Sequence, residues 1–289
     1  MKNLVKLGFA VVLSATFMTA KAQNTNTENS TLWEISGNGL TQPSYIAGTF
    51  HIMCSKDFEI KPKVMKALEK SDQFVMEINY TDAAEMAAMQ KMYQTDKKLS
   101  DQLTPEEAKE LDKVLADYGT DLKKMDNFSS QALYALISTK AIPCPQTDLK
   151  MYEIELLKNA MKSKKRVYGL EKVEEQMTSI NKAYDLKAVI QQLKMGKEYE
   201  TLLNKMVAAF KKEDVQSLYT LFKDKKLMNT AQEKAMLTDR NKNWAEKMPE
   251  MMKKESAFFA VGGAHLMGDN GVIRLLKAKG YTVKPVSSL

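Results

Sequence analysis

YIAGTFHIM, residues 45–53, and FAVGGAHLM, residues 259–267, decide how this chain is read. Each is an apolar run that reaches a glycine and then, three residues later, a histidine: Gly48-x-x-His51 and Gly262-x-x-His265. The 289-residue chain has only 2 histidines, and both stand in this context. Even the residues that follow agree in type, Ile52-Met53 and Leu266-Met267. A short apolar run bounded by turn signals reads as a buried strand. A glycine at its end lets the chain turn sharply and lets backbone or ligand approach closely. Each stretch thus reads as a strand that delivers an imidazole over a sheet edge.

Working outward, both segments continue alike. After His51 come a helix over Val64–Lys70 and a strand over Gln73–Ile78. The strand Ala257–Val261 precedes His265, and a helix over Gly271–Lys279 and a strand over Tyr281–Pro285 follow it. Gly280 stands where a left-handed helix cap belongs. A further strand is expected at Leu32–Ile35, before the turn signals Asn38-Gly39 and Pro43. Between the two units the pattern is mostly helical. Thr104-Pro105-Glu106-Glu107 is a capping-box helix start. Asp148–Ser163 reads as one amphipathic helix, Arg166–Leu170 as a strand, and residues 173–250 as helix. The expected fold is α/β (α+β): a mixed central sheet built from two pseudo-symmetric β–α–β units, flanked by helices and carrying a helical insertion over roughly residues 82–250. The 20 methionines fall mostly in those helices and read as core and gap-filling residues.

Composition narrows the function classes. Lys2 and Lys6, the apolar stretch Leu7–Met18 and Ala20-Lys21-Ala22 form a secretory signal peptide, residues 1–22, too short in its apolar part for a membrane span. Residues 23–31 (QNTNTENST) are polar and read as a flexible leader. A single domain is expected over residues 32–289, periplasmic or secreted, with no membrane span. The formal charge of +7 includes three lysines of the signal segment. The remaining excess is mild and spread over helix faces, which argues against a nucleic-acid partner. Cys54 and Cys144 are the only 2 cysteines, and an even pair in an exported chain is expected to bridge.

Four polar groups end the expected strands: His51, Glu77 in FVMEIN, Glu171 directly after Arg166–Leu170, and His265. Ligands of open α/β sheets bind just outside the carboxyl ends of the strands. If the strands run parallel, these groups meet at one edge. Two neutral imidazoles and a carboxylate are first-shell donors for a borderline divalent metal. A spare carboxylate is a general base for water on that metal. Taken singly, each group also has a plainer reading: a hydrogen-bonded histidine, a solvent-facing Glu77, a helix-start Glu171. Arg240, beside Asn241 and a turn before Trp244, stands out in a lysine-rich helix. It reads either as a partner of a site glutamate or substrate carboxylate or as part of a solvated face. H-E-x-x-H, G-x-S-x-G and P-loop patterns are absent.

Together these residues resemble the TraB/PrgY/GumN family, which includes the Tiki proteases. The resemblance lies in LWEISGNGLTQPSYIAGTFHIM, FVMEIN, VYGLEKVEEQ, DRNKNWAEKM and AVGGAHLMGDNGVIRLLKAKGYTVKPV, and spans Trp33 to Val286. It implies a mixed sheet flanked by helices, similar to erythromycin esterase and ChaN-like proteins. In its Tiki branch it implies further a metal-dependent peptidase, manganese or cobalt favoured, with His51, His265 and Glu77 as metal-linked residues; the ion expected here is Mn, Co or Zn. Glu171 and Arg240 are further catalytic candidates. The expected function is an exported metal-dependent hydrolase acting on a peptide or another small substrate. The alternatives are a metal-free His/Glu hydrolase and a non-catalytic protein that binds a peptide or haem-like ligand in the same cleft.

Overall fold

A computed structural model describes residues 29–287, and the segment read as a signal peptide, residues 1–22, lies outside them. Eight strands form: β1 Leu32–Ser36, β2 Ser44–Thr49, β3 Ile52–Cys54, β4 Gln73–Met76, β5 Leu149–Met151, β6 Arg166–Gly169, β7 Ala257–Gly262 and β8 Thr282–Pro285. Six of them make one sheet in the order β6-β4-β7-β2-β1-β8. Strands β6, β4, β7 and β2 are mutually parallel, while β1 runs antiparallel to both β2 and β8. The fold is therefore a mixed α/β sheet flanked by helices, as the sequence pattern implies.

Strand β7 (AFFAVG) shows why the sheet is central. Every residue in it is buried, and an unbroken apolar run is what a strand covered on both faces requires. Alternation sends Phe258 and Ala260 to one face, where they pack with Val64, Ala67 and Leu68 of the helix Pro62–Lys70 and with Leu156 and Ala160 of the helix Tyr152–Lys162. Ala257, Phe259 and Val261 turn to the other face, against Trp244, Met248 and Met252 of the helix Asp239–Lys254 and Val272 and Leu276 of the helix Val272–Ala278. A third core, around Leu111, Leu115, Leu133, Ile137, Val189 and Leu193, lies wholly among helices of the insertion.

The two GxxH units share connectivity but not position. From β2 the chain crosses over to β4, on the far side of β7, whereas from β7 it crosses β2 and β1 to reach β8. Both units run strand, GxxH, helix and parallel return strand, with their helices on opposite faces of the sheet, and the pseudo-symmetry is inexact in where the return strands land.

Three local features depart from the sequence reading. Residues 148–163 are not one helix: β5 precedes the helix Tyr152–Lys162. Strands β3 and β5 pair antiparallel as Ile52↔Met151, Met53↔Lys150 and Cys54↔Leu149. A ladder of three pairs leaves no periodicity to read and exists only through its partner. In the polar leader, Ser30 and Thr31 are buried; Ser30 donates to the Leu32 and Val286 carbonyls and Thr31 to Glu213. Cys54 and Cys144 form a disulfide, as expected. The Thr104 capping box is formed, and Gly280 takes φ +91°. No helix among the described residues is long and apolar enough to cross a membrane.

Candidate functional site

Four parallel strands set the site, because their carboxyl ends share one edge. Strand β2 leads to His51, β4 to Glu77, β6 to Glu171 and β7 to His265. The structure brings all four together, and the helix Asp239–Lys254 adds Arg240 and Asn241 from its first turn. A single π-helical turn, Lys234–Thr238, precedes that helix. Such turns release backbone groups from the regular ladder, and the Met236 carbonyl accepts a hydrogen bond from Arg240 Nη1 at 3.1 Å.

Arg240 is the hub. It is buried, and its Nη2 donates to Glu77 Oε2 at 2.5 Å and to Glu171 Oε1 at 2.6 Å. Its Nε donates to both Glu171 oxygens, at 3.1 and 3.2 Å. Trp244 Nε1 and Gln176 Nε2 complete the shell of Glu171, at 3.2 and 3.0 Å. The planar, five-donor guanidinium suits two carboxylates as an ammonium does not. Neither glutamate is a surface acid: both are buried. Burial alone would raise the Glu77 carboxyl, but Arg240, the two histidines and the Gly262 N–H outweigh it and hold the group at about 2. For Glu171, burial prevails over the pull of Arg240 and the carboxyl is raised.

The two imidazoles sit in unlike surroundings. His265 is buried against Trp244, with ring centroids 4.4 Å apart. Its Nδ1 lies 2.6 Å from Asn241 Oδ1, and Asn241 Nδ2 donates to the His265 and Asn270 carbonyls. That network puts Oδ1 against the ring, so Nδ1 carries the proton and Nε2 a lone pair. Burial first, then the Arg240 charge, lowers His265 to about 3, which keeps it neutral. His51 has a side chain 60 % exposed, with Nδ1 2.6 Å from Glu153 Oε1. The Glu153 carboxylate raises His51 to about 9.

Glu153 and Asn241 are the residues a strand-end reading misses. Glu153 is buried, the Thr49 hydroxyl donates to its Oε1, and it belongs to the helix Tyr152–Lys162. A signal for it exists in the sequence: it shares the stripe of Leu156, Leu157 and Ala160, and an acid on an apolar helical stripe needs a partner.

The donors have the chemistry a borderline cation requires: two imidazole Nε2 atoms and a carboxylate oxygen, Glu77 Oε1. Each ring is fixed through Nδ1 by an oxygen acceptor, as outer-shell partners fix metal-binding histidines. Gly262 supplies the space. A Cβ there would stand 3.1 Å from His51 Nε2 and 3.4 Å from Glu77 Oε1, so its absence leaves a small cradle between them. Among the described residues no three His, Cys, Asp or Glu side chains already form a metal cage. His265 Nε2 is 4.0 Å from Glu77 Oε1 and faces Arg240 Nη1 at 3.2 Å. For His265 to act as a ligand, that arginine contact must be given up. Glu171 turns wholly to Arg240, Trp244 and Gln176.

Fold and site together define an α/β protein with a histidine–glutamate–arginine centre at the carboxyl edge of a parallel sheet. The sequence profile of the TraB/PrgY/gumN family matches residues 31–285, and the chain belongs to that family. Searches of curated proteins and of solved structures give no match.

Proposed function

We propose that this protein is an exported hydrolase that uses a divalent cation, Mn, Co or Zn, to cleave a peptide or similar small substrate. The observation that carries this reading is the cradle over Gly262. There a histidine nitrogen and a carboxylate oxygen face one small space, and the histidine is oriented from behind by a buried glutamate. His51, Glu77 and His265 are the residues that would hold the cation. Once bound, such an ion polarises a carbonyl and lowers the pKa of its water to near neutrality.

The chain's own groups have separable tasks. Arg240 keeps Glu77 ionised, so one oxygen remains a strong acceptor while the Gly262 N–H donates to Oε1 at 2.8 Å. Glu153 and Asn241 fix which nitrogen of each ring faces inward. The disulfide accords with an oxidising compartment.

Metal content of the purified protein, reconstituted with Mn²⁺, Co²⁺ or Zn²⁺, tests the reading. We expect stoichiometric binding and cleavage of a peptide library, both lost in His51→Ala/His265→Ala. Wild type that binds no more metal than this double variant would refute it. A second reading is a metal-free hydrolase in which His51 and Glu153 form the acid–base pair, favoured by their 2.6 Å contact and the exposed His51 ring. Cleavage that persists in EDTA and vanishes in His51→Ala selects it.

A further inference from the structure

The Cys54–Cys144 disulfide and the short β3–β5 ribbon lie beside the site, and neither reading of the function uses them. The chain path gives them a role. His51 directly precedes β3, and Glu153 follows β5 by two positions. The ribbon pairs Ile52 with Met151. One step beyond, the Tyr152 N–H donates to the His51 carbonyl at 3.1 Å. The next position brings the Glu153 carboxylate onto His51 Nδ1 at 2.6 Å. At the ribbon's other end Cys54 pairs with Leu149, the Ser55 N–H donates to the Asp148 carbonyl, and Cys54 is bonded to Cys144. An isolated three-residue ribbon is not stable by itself. Here the covalent link ties one end, and the histidine–glutamate contact lies at the other.

We propose that Glu153 is the positioning residue of the site, that it fixes His51 with the proton on Nδ1 and Nε2 turned to the Gly262 cradle, and that the Cys54–Cys144 disulfide holds it there. The chemistry is direct. An ionised carboxylate only accepts, so the ring nitrogen it touches carries the proton. Thr49, also hydrogen-bonded to Glu153 Oε1, pins that oxygen in place. Without Glu153 the solvent-exposed ring reverts to the tautomer free imidazole prefers, with the proton on Nε2. The nitrogen facing the cradle is then a donor and useless as a ligand or as a base. The proposal concerns the metal-free chain and holds under either reading of the function. Failure of the peptidase reading therefore leaves it standing, and the two failures are told apart because one is read in the His51 tautomer and the other in metal content.

With only 2 histidines in the chain, ¹⁵N-histidine labelling of untagged, metal-free protein gives a spectrum of two residues, assigned with His51→Ala. Recorded at a pH where the His51 resonances themselves show the ring to be neutral, it reads the neutral tautomer directly. We expect wild-type His51 protonated on Nδ1, and Glu153→Gln the same, because its amide oxygen still accepts. Glu153→Ala should move the proton to Nε2, and Cys54→Ser/Cys144→Ser should give a mixture of tautomers. His265, held by Asn241, should keep its proton on Nδ1 throughout and so report an intact fold. Wild-type His51 protonated on Nε2 overturns the proposal with no variant needed. So does Glu153→Ala that retains the Nδ1 proton. A serine double variant indistinguishable from wild type removes the disulfide's part.

Discussion

Arg240 and Gly262 show how much one residue can carry here. Removing the guanidinium strands two buried carboxylates, and loss of one member of a buried ion pair costs about 3–5 kcal/mol. Arg240→Ala should therefore lower urea-denaturation stability by roughly that amount. Arg240→Lys should recover only part, since one ammonium cannot reproduce contacts to Glu77, Glu171 and the Met236 carbonyl together. Gly262→Ala is the complementary test. Glycine is not required by the backbone there, where φ is −52°, so alanine meets no torsional strain. Its methyl would instead fill the cradle against His51 Nε2. We expect a stability change within about 1 kcal/mol, the ordinary range of a tolerated substitution, with a large loss of metal affinity measured by calorimetry. Unchanged affinity would remove the cradle from the site.

At the scale of elements, two close approaches matter. Strand β2 meets the 3₁₀ turn Gly263–His265 at Gly48, where a Cβ would stand 2.7 Å from Leu266 Cδ1 and 3.0 Å from the Gly263 Cα. Because backbone is part of that contact, Gly48→Ala should destabilise by about 1–3 kcal/mol, as overpacking does. The glycines of the matched motifs thus have different jobs: Gly48 lets strand and turn approach, and Gly262 leaves room beside the histidine. The second contact is the ribbon with its disulfide, which closes a sequence separation of 90 residues. Chain-entropy reasoning gives an upper value of about 4–5 kcal/mol for such a loop. Reduction should lower Tm, and a Cys54→Ser/Cys144→Ser protein should no longer respond to reductant.

For the whole molecule, the site predicts a stability profile that falls on both sides of neutrality in the metal-free protein. Glu77 is depressed from 4.5 to about 2, so its contribution is complete above the unfolded value and disappears as pH falls through about 2. His265 is depressed from 6.5 to about 3; below 6.5 the unfolded chain takes up a proton that the native state refuses, and stability declines. His51 behaves oppositely. Raised from 6.5 to about 9 by Glu153, it contributes fully below 6.5 and loses that contribution as pH rises through about 9. Urea midpoints across pH should therefore be highest near 6.5. Glu153→Gln should flatten the alkaline limb, and also remove the part of the acid limb that the depressed Glu153 carboxyl supplies; an unaltered alkaline limb in that variant would contradict the assignment.

The parallel strands and all four strand-end groups were legible in the sequence, because apolar runs ending in Gly-x-x-His or in a glutamate encode their place locally. The disulfide followed from having only one pair of cysteines. Glu153 was not legible as a partner: an amphipathic helix shows an acid on its buried stripe but not which distant histidine lies opposite it. Nor could periodicity find β3 and β5, whose three-residue lengths have meaning only as a pair. Whether Glu77, Glu171 and Arg240 faced solvent or each other was equally open, since alternation and helical spacing permit both. By itself the sequence determined which groups reach the sheet edge. Tertiary structure alone decided what each touches, because the sheet order β6-β4-β7-β2 and the crossing of the helix Asp239–Lys254 bring together residues far apart along the chain.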